Sequence, residues 1–197
     1  MEIVIKRIDE RTIKLEKEEN DLDSFVFDFV DVLEKYTDYI IISGFISILF
    51  GRSRGTEDVD IIIPKVSEEN WIKINKALLK DFECMNTDNI ADIYSYLKDG
   101  LSVRFVKKGQ IIPNMEIKFA KKDIDYLSLK NKIKVLFNDK ELFIGPIELQ
   151  IVYKKKILKS GKDLEDAKHL EIVLKDLINK EKIKYYEKLV DELWKKT

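Results

Sequence analysis

The segment Ser43-Gly44-Phe45-Ile46-Ser47-Ile48-Leu49-Phe50-Gly51-Arg52-Ser53-Arg54-Gly55-Thr56-Glu57-Asp58-Val59-Asp60-Ile61-Ile62-Ile63 constrains this chain more than any other. The apolar run 39–42 stops at Ser-Gly, a short apolar stretch closes at Gly51, and Asp58-Val59-Asp60 opens a second apolar run. That order reads as strand, tight turn, short helix, loop, strand. Residues at i and i+2 of a strand share a face, so Asp58 and Asp60 point one way and Val59 the other. Two neighbouring carboxylates repel, and an ionised carboxylate at the head of Ile61-Ile62-Ile63 is costly to bury unpaired. The pair therefore invites a divalent cation. A Gly-led turn into a helix offers backbone N–H groups to a phosphate. The plainer reading is that Glu57-Asp58 ends a loop and Asp60 caps a turn.

The rest of the chain supplies a frame for this segment. Residues 2–8 and 12–15 alternate as a hairpin turning at Asp9-Glu10-Arg11. Asp21-Leu22-Asp23-Ser24 is expected to cap a helix whose Phe25, Phe29, Val32, Leu33 and Tyr36 fall at helical spacing. Further helices are expected after Ser67-Glu68-Glu69 and after Thr87-Asp88-Asn89, the second closed by Gly100. Residues 101–106 and 115–120 read as an antiparallel strand pair, and 132–137 with 141–144 as a hairpin turning at Asn138-Asp139. Beyond Pro146 three stretches, 147–158, 163–178 and 181–194, carry helical periodicity. The expected architecture is α/β: a mixed sheet flanked by helices over residues 1–145, followed by a C-terminal helical lobe over 146–197.

A third carboxylate is sought on a neighbouring strand. In Asn114-Met115-Glu116-Ile117-Lys118-Phe119 the apolar residues share one face, and Glu116 and Lys118 share the other. Glu116 is the favoured candidate, with Asp123 and Asp125 as alternatives in a stretch that reads as a solvated turn. An ordinary exposed Glu–Lys pair also accounts for Glu116.

Charge excludes less than it first suggests. Lys and Arg number 36 against 37 Asp and Glu, so any attraction to a polyanion must be local. Lys154-Lys155-Lys156 with Lys159 and Lys162 is the densest basic cluster, suited to a triphosphate or an RNA backbone, or to a solvated face. Cys84 is the one cysteine, which excludes an intramolecular disulfide and a multi-cysteine zinc site; it reads as a small buried apolar residue. His169 is the single histidine, in a helix with no nucleophile elbow, and reads as a packing residue. Trp71 lies on a helix and is expected to pack. The first residues carry no signal-peptide profile and no apolar stretch reaches membrane-spanning length, so a cytoplasmic protein with no membrane partner is expected.

Residues 43–63 resemble the signature of the nucleotidyltransferase superfamily related to polymerase beta. The likeness is greatest to its minimal branch, in which Gly–Gly, Gly–x–x–Arg–x–Thr and Asp–x–Asp follow closely. Ser43-Gly44 stands here for the glycine pair, with Phe45 where a second small residue is usual. The stretch from Glu148 to Lys154, then Lys159 and Gly161-Lys162-Asp163-Leu164-Glu165-Asp166, resembles the helical half of nucleotidyltransferase-like toxins and antitoxins of defence systems. The resemblance implies a nucleotidyltransferase moving a nucleoside monophosphate from a nucleoside triphosphate to an acceptor hydroxyl on RNA, protein or a small molecule. It implies two magnesium ions on Asp58, Asp60 and Glu116. The nucleotide would be held by Ser43, Gly44, Arg54, Thr56, Lys154 and Lys162, and a toxin or antitoxin partner is expected. Asp163 and Asp166 match a recurring acidic pair without a defined role. The alternative expectation is a catalytically inactive nucleotide-sensing or antitoxin-like partner-binding module of the same fold.

Overall fold

The computed structural model describes residues 3–194, so the expected start of the first hairpin at residue 2 lies outside the described residues. In chain order the strands are β1 (Val4–Asp9), β2 (Thr12–Glu16), β3 (Ile40–Ile41), β4 (Asp58–Ile63), β5 (Phe82–Cys84), β6 (Val103–Lys107), β7 (Asn114–Phe119), β8 (Ile133–Phe137) and β9 (Lys140–Ile144). The helices are α1 (Asp21–Leu33), α2 (Gly44–Leu49), α3 (Glu68–Leu78), α4 (Ile90–Asp99), α5 (Asp123–Lys130), α6 (Ile147–Tyr153), α7 (Gly161–Val173) and α8 (Lys180–Trp194), with a π-helical turn at Lys154–Leu158. The protein is mixed α/β, and its C-terminal segment is helical. No helix among the described residues is long and apolar enough to cross a membrane.

The chain forms two compact units, and both are discontinuous in sequence. One holds residues 18–42 and 55–130; the other holds the chain up to 17, residues 43–54, and everything from 131 on. This division differs from the expected boundary at 145/146. Its physical reason lies in the second unit, where α7 packs against α2 and also against α6, so the C-terminal helices share a core with an early segment.

In the first unit the strands run β3-β4-β7-β6-β5. β4 and β7 are parallel, and the remaining pairs are antiparallel, the expected β6–β7 pair among them. Alternation sends Val59, Ile61, Ile63, Met115, Ile117, Val103 and Phe105 to one face, where all are fully buried. α1 and α3 pack against each other in this unit. Phe29 meets Phe82 edge-on at 4.9 Å, and the fully buried Trp71 meets Phe105 at 6.4 Å and Phe119 at 6.2 Å. Trp71 is thus a packing residue. The cap of α1 lies one residue earlier than the sequence suggests. Asn20 Oδ1 accepts from the Asp23 N–H at 2.9 Å, and Asp23 Oδ2 accepts from the Asn20 N–H at 3.1 Å, a reciprocal box that satisfies two orphan donors. Ser67 and Asn89 cap α3 and α4 as expected, and Gly100 closes α4 at φ 84°, a left-handed turn that suits glycine.

In the second unit the strands run β1-β2-β8-β9, with β2 and β8 parallel. The β8–β9 hairpin turns at Asn138, whose φ of 53° is tolerated by asparagine. α6 runs directly into the π-helical turn, and Lys159 ends that turn in a left-handed conformation. Ser160 then caps α7 by accepting from the Asp163 N–H at 3.2 Å. Gly161, which reads as a break, is the first residue of α7.

Candidate functional site

The polar face of the β4–β7–β6 ladder carries one cross-strand row. Asp60 pairs in register with Glu116, and Glu116 with Arg104. Asp58, two residues before Asp60, pairs in register with Asn114. Asp58, Asp60, Asn114 and Glu116 therefore lie on one side of the sheet, because alternate residues share a face and register partners lie side by side. Ile62 ends the row by turning into a cluster with Ile40 and Ala120.

Thr56 Oγ1 donates to Asp58 Oδ1 at 3.0 Å and to the Asp58 carbonyl at 2.9 Å, which orients the Asp58 carboxylate. Ser102 Oγ donates to Glu116 Oε1 at 2.6 Å, and Arg104 Nε donates to Glu116 Oε2 at 2.9 Å. The Glu116 hydrogen bond and charge, with the charges of Asp58 and Asp60 beyond it, push the Arg104 pKa above its ordinary value. Asn114 Nδ2 donates to the Glu57 carbonyl at 2.9 Å. Its Oδ1 is buried without a hydrogen-bond partner, on a residue only 8% exposed. Neither Asn114 nor Arg104 stands out in the sequence. One is an amide opening an alternating strand, and the other is one Arg in an antiparallel partner whose register only the fold supplies.

These residues supply oxygen donors, the kind hard divalent cations take. Asp58, Asp60, Glu116 and the orphaned Asn114 Oδ1 are oxygens of that kind. Both oxygens of Glu116 accept hydrogen bonds, as does Asp58 Oδ1. Among the described residues no group of three or more His, Cys, Asp or Glu side chains is placed to hold a metal.

The second unit contains the remaining expected residues except Thr56. Ser43 adopts φ 67°, rare for a residue with a side chain, and its N–H donates to Gln150 Oε1 at 2.9 Å. A Cβ built at Gly44 would collide with the Arg54 guanidinium, so only glycine lets that group lie against the start of α2. Arg54 Nη1 contacts Asp166 Oδ2 at 3.1 Å, while its Nε is buried without a partner. Lys154, 1% exposed, reaches Asp166 at 2.8 Å and Asp163 at 3.4 Å. Arg52 pairs with the same Asp166 and with Glu165. Three cations thus converge on a carboxylate that is fully buried. The carbonyl of Lys162 accepts from Arg52 at 3.0 Å. His169 Nε2 lies 3.1 Å from the Phe50 carbonyl, in keeping with a packing histidine.

Among solved structures the chain is similar to the crystal structure of an antigenic nucleotidyltransferase-like protein from Paracoccidioides brasiliensis. The identity is 15% and the TM-score 0.48, over 77% of this chain and 73% of that one. No protein-family model and no curated protein sequence matches the chain.

Proposed function

We propose that the protein is a magnesium-dependent nucleotidyltransferase that moves a nucleoside monophosphate from a nucleoside triphosphate to an acceptor hydroxyl. The observation that supports this most directly is the oxygen-rich row on β4 and β7. Asp58 and Asp60 share a face, Glu116 lies in register beside Asp60, and the buried Asn114 Oδ1 has no partner. In this reading Asp58, braced by Thr56, and Asp60 hold magnesium, with Asn114 Oδ1 as a further oxygen. Bound there, the cation would offset the negative charge that develops on the departing pyrophosphate. The sequence resemblance alone carries Ser43, Gly44, Arg54, Lys154 and Lys162 as holders of the nucleotide, since the Ser43 N–H is engaged by Gln150 and Arg54 and Lys154 by Asp166. The acceptor oxygen forms its bond to the α-phosphorus as the bond to the bridging oxygen breaks and its proton passes to solvent, with Glu116 helping to activate the acceptor hydroxyl. A second ion, an RNA, protein or small-molecule acceptor, a toxin–antitoxin role and a cytoplasmic setting remain parts of the proposal carried by the sequence resemblance.

A second reading is a nucleotide-binding or antitoxin-like module without turnover. The Arg104–Glu116 pair favours it, because it ties up the third carboxylate. One experiment separates the two. The protein is incubated with each α-labelled nucleoside triphosphate, magnesium and total RNA or lysate, and the products are resolved on a gel. Transferred label is expected, and Asp60→Asn is expected to abolish it while the fold stays intact, since the substitution relieves repulsion between like charges. Label transfer by Asp60→Asn at the wild-type rate would overturn the assignment. Magnesium-dependent triphosphate binding without transfer would establish the second reading.

A further inference from the structure

The second unit holds a cavity of about 320 Å³, at the lower end of the roughly 300–1,000 Å³ usual for small-molecule sites. Its walls come from the β1–β2 turn, the approach to β8, the start of α6 and the beginning of α8, all within that one unit. Glu148, in the first turn of α6, lines it and is 4% exposed. Its carboxylate accepts one hydrogen bond, from the Asn179 N–H, and no cation pairs with it among the described residues. A buried carboxylate without an opposite charge is expensive. Lys182, partly buried on α8, lines the same cavity, and its ammonium has neither a hydrogen bond nor an ion pair among the described residues. An unpaired acid and an unpaired base thus line one space without meeting each other. Glu10 and Arg11 add one charge of each sign, the Arg11 guanidinium being engaged by Asn131 Oδ1 at 3.4 Å. The four charges cancel, so the cavity draws in neither a simple cation nor a simple anion. Tyr185 and Tyr186, edge-on at 5.2 Å, supply an aromatic wall together with Ile133 and Pro146.

From this lining we propose that the cavity binds a free α-amino acid as its zwitterion, with the ammonium on Glu148, the carboxylate on Lys182 and an apolar or aromatic side chain against Tyr185 and Tyr186. The ammonium brings Glu148 the opposite charge and the hydrogen-bond donors that the protein does not supply, and the tyrosine ring faces attract the same cation. The ligand's carboxylate gives Lys182 its missing partner. The aromatic wall rewards a side chain that buries apolar area and gives nothing to a charged one. The cavity shares no residue with the carboxylate row of β4 and β7, so this inference holds or fails independently of the activity proposed above.

Titration calorimetry on the full chain, with no nucleotide or metal added, tests it. Each common free amino acid is titrated in turn, and saturable binding is expected for the aromatic and large apolar ones and not for aspartate, glutamate, lysine or arginine. For the tightest binder, the N-acetyl derivative lacks the cation and the carboxamide lacks the anion. Each is expected to bind about tenfold more weakly or worse, the loss of a hydrogen bond to a charged group. Glu148→Gln keeps an acceptor for the Asn179 N–H and is expected to lose the preference for the free amine over the N-acetyl form. Lys182→Met is expected to lose the preference for the free acid over the carboxamide, and Lys182→Arg to keep it. Circular dichroism checks that each variant folds, and if Glu148→Gln does not, the Lys182 pair decides. Failure of every free amino acid to bind at millimolar concentration would overturn the proposal. So would equal binding of the parent and both blocked forms, or either preference persisting in the variant meant to remove it.

Discussion

At the scale of single residues, the segment before β4 is built around two conformational demands. Ser43 accepts a left-handed φ that costs a non-glycine residue about 1 kcal/mol or more, and the bond from its N–H to Gln150 helps hold it there. Gly44 answers a different demand, the close approach of Arg54. Its φ is not the constraint; the missing side chain is. Gly44→Ala is therefore expected to destabilise the protein by about 1–3 kcal/mol, the range for forcing extra volume into a packed site. Urea denaturation measures this. Because the obstacle is the end of a flexible side chain, Arg54→Ala should relieve the collision, so the double variant should show a coupling well beyond additivity. Strict additivity would mean that Arg54 and Gly44 do not share that space in solution.

At the scale of elements, α6 and α8 pack against each other, and Glu148 on α6 has an effect on both ends of that contact. Tyr186 on α8 is 5% exposed, and burial together with the nearby charge of Glu148 on α6 pushes its pKa from 10.0 to about 12. Glu148 Oε1 in turn accepts from the Asn179 N–H at 3.0 Å, just before α8 begins. In the folded protein Tyr186 keeps its proton through a range in which the unfolded chain releases it. The unfolded state therefore binds fewer protons there, and stability falls as pH rises. The contribution is whole below pH 10 and is lost as pH climbs through about 12. Tyr186→Phe has no phenol to titrate, so its loss of stability between those values should be shallower than that of wild type in matched urea titrations. Parallel slopes would place the alkaline loss elsewhere.

How far these elements could be read from sequence follows from their physics. The β7 strand is legible because apolar and polar residues alternate there, β4 because Asp58-Val59-Asp60 opens an apolar run, and α3 and α4 because Ser67 and Asn89 are strong caps. The strand β5 has three residues, too few to show a period, and α5 has eight with acidic residues in its first turn, which resembles a polar turn. The same limit applies to the site. Asp58, Asp60 and Glu116 announce themselves by charge within apolar strands. The restraint of Glu116 depends on the register of β6 against β7, and that register is a tertiary fact.

At the scale of the whole molecule, the discontinuous units decide what can be cut. A boundary at 145/146 follows the change in sequence texture, yet residues 43–54 and β8–β9 belong to the unit that contains α6, α7 and α8. A fragment ending at residue 145 would lose Gln150 from the Ser43 N–H and Asp166 from both Arg52 and Arg54. Arg52 and Arg54 would be left without their carboxylate. Val135, Leu142 and Ile144, all fully buried in the intact chain, would have lost much of their own unit. Residues 18–42 and 55–130, by contrast, are retained whole in such a fragment, with the Trp71, Phe105 and Phe119 core intact. Hydrogen exchange read by mass spectrometry should therefore divide the fragment in two. Amides of β4, β6 and β7 are expected to keep the protection they have in the full chain, and those of residues 43–54 and of β8 and β9 to lose most of theirs. Protection retained through β8 and β9 would instead make residues 1–145 a domain that stands alone, with the helices an appendage. In that case the convergence of Arg52, Arg54 and Lys154 on Asp166 would not be what holds the 43–54 segment in shape.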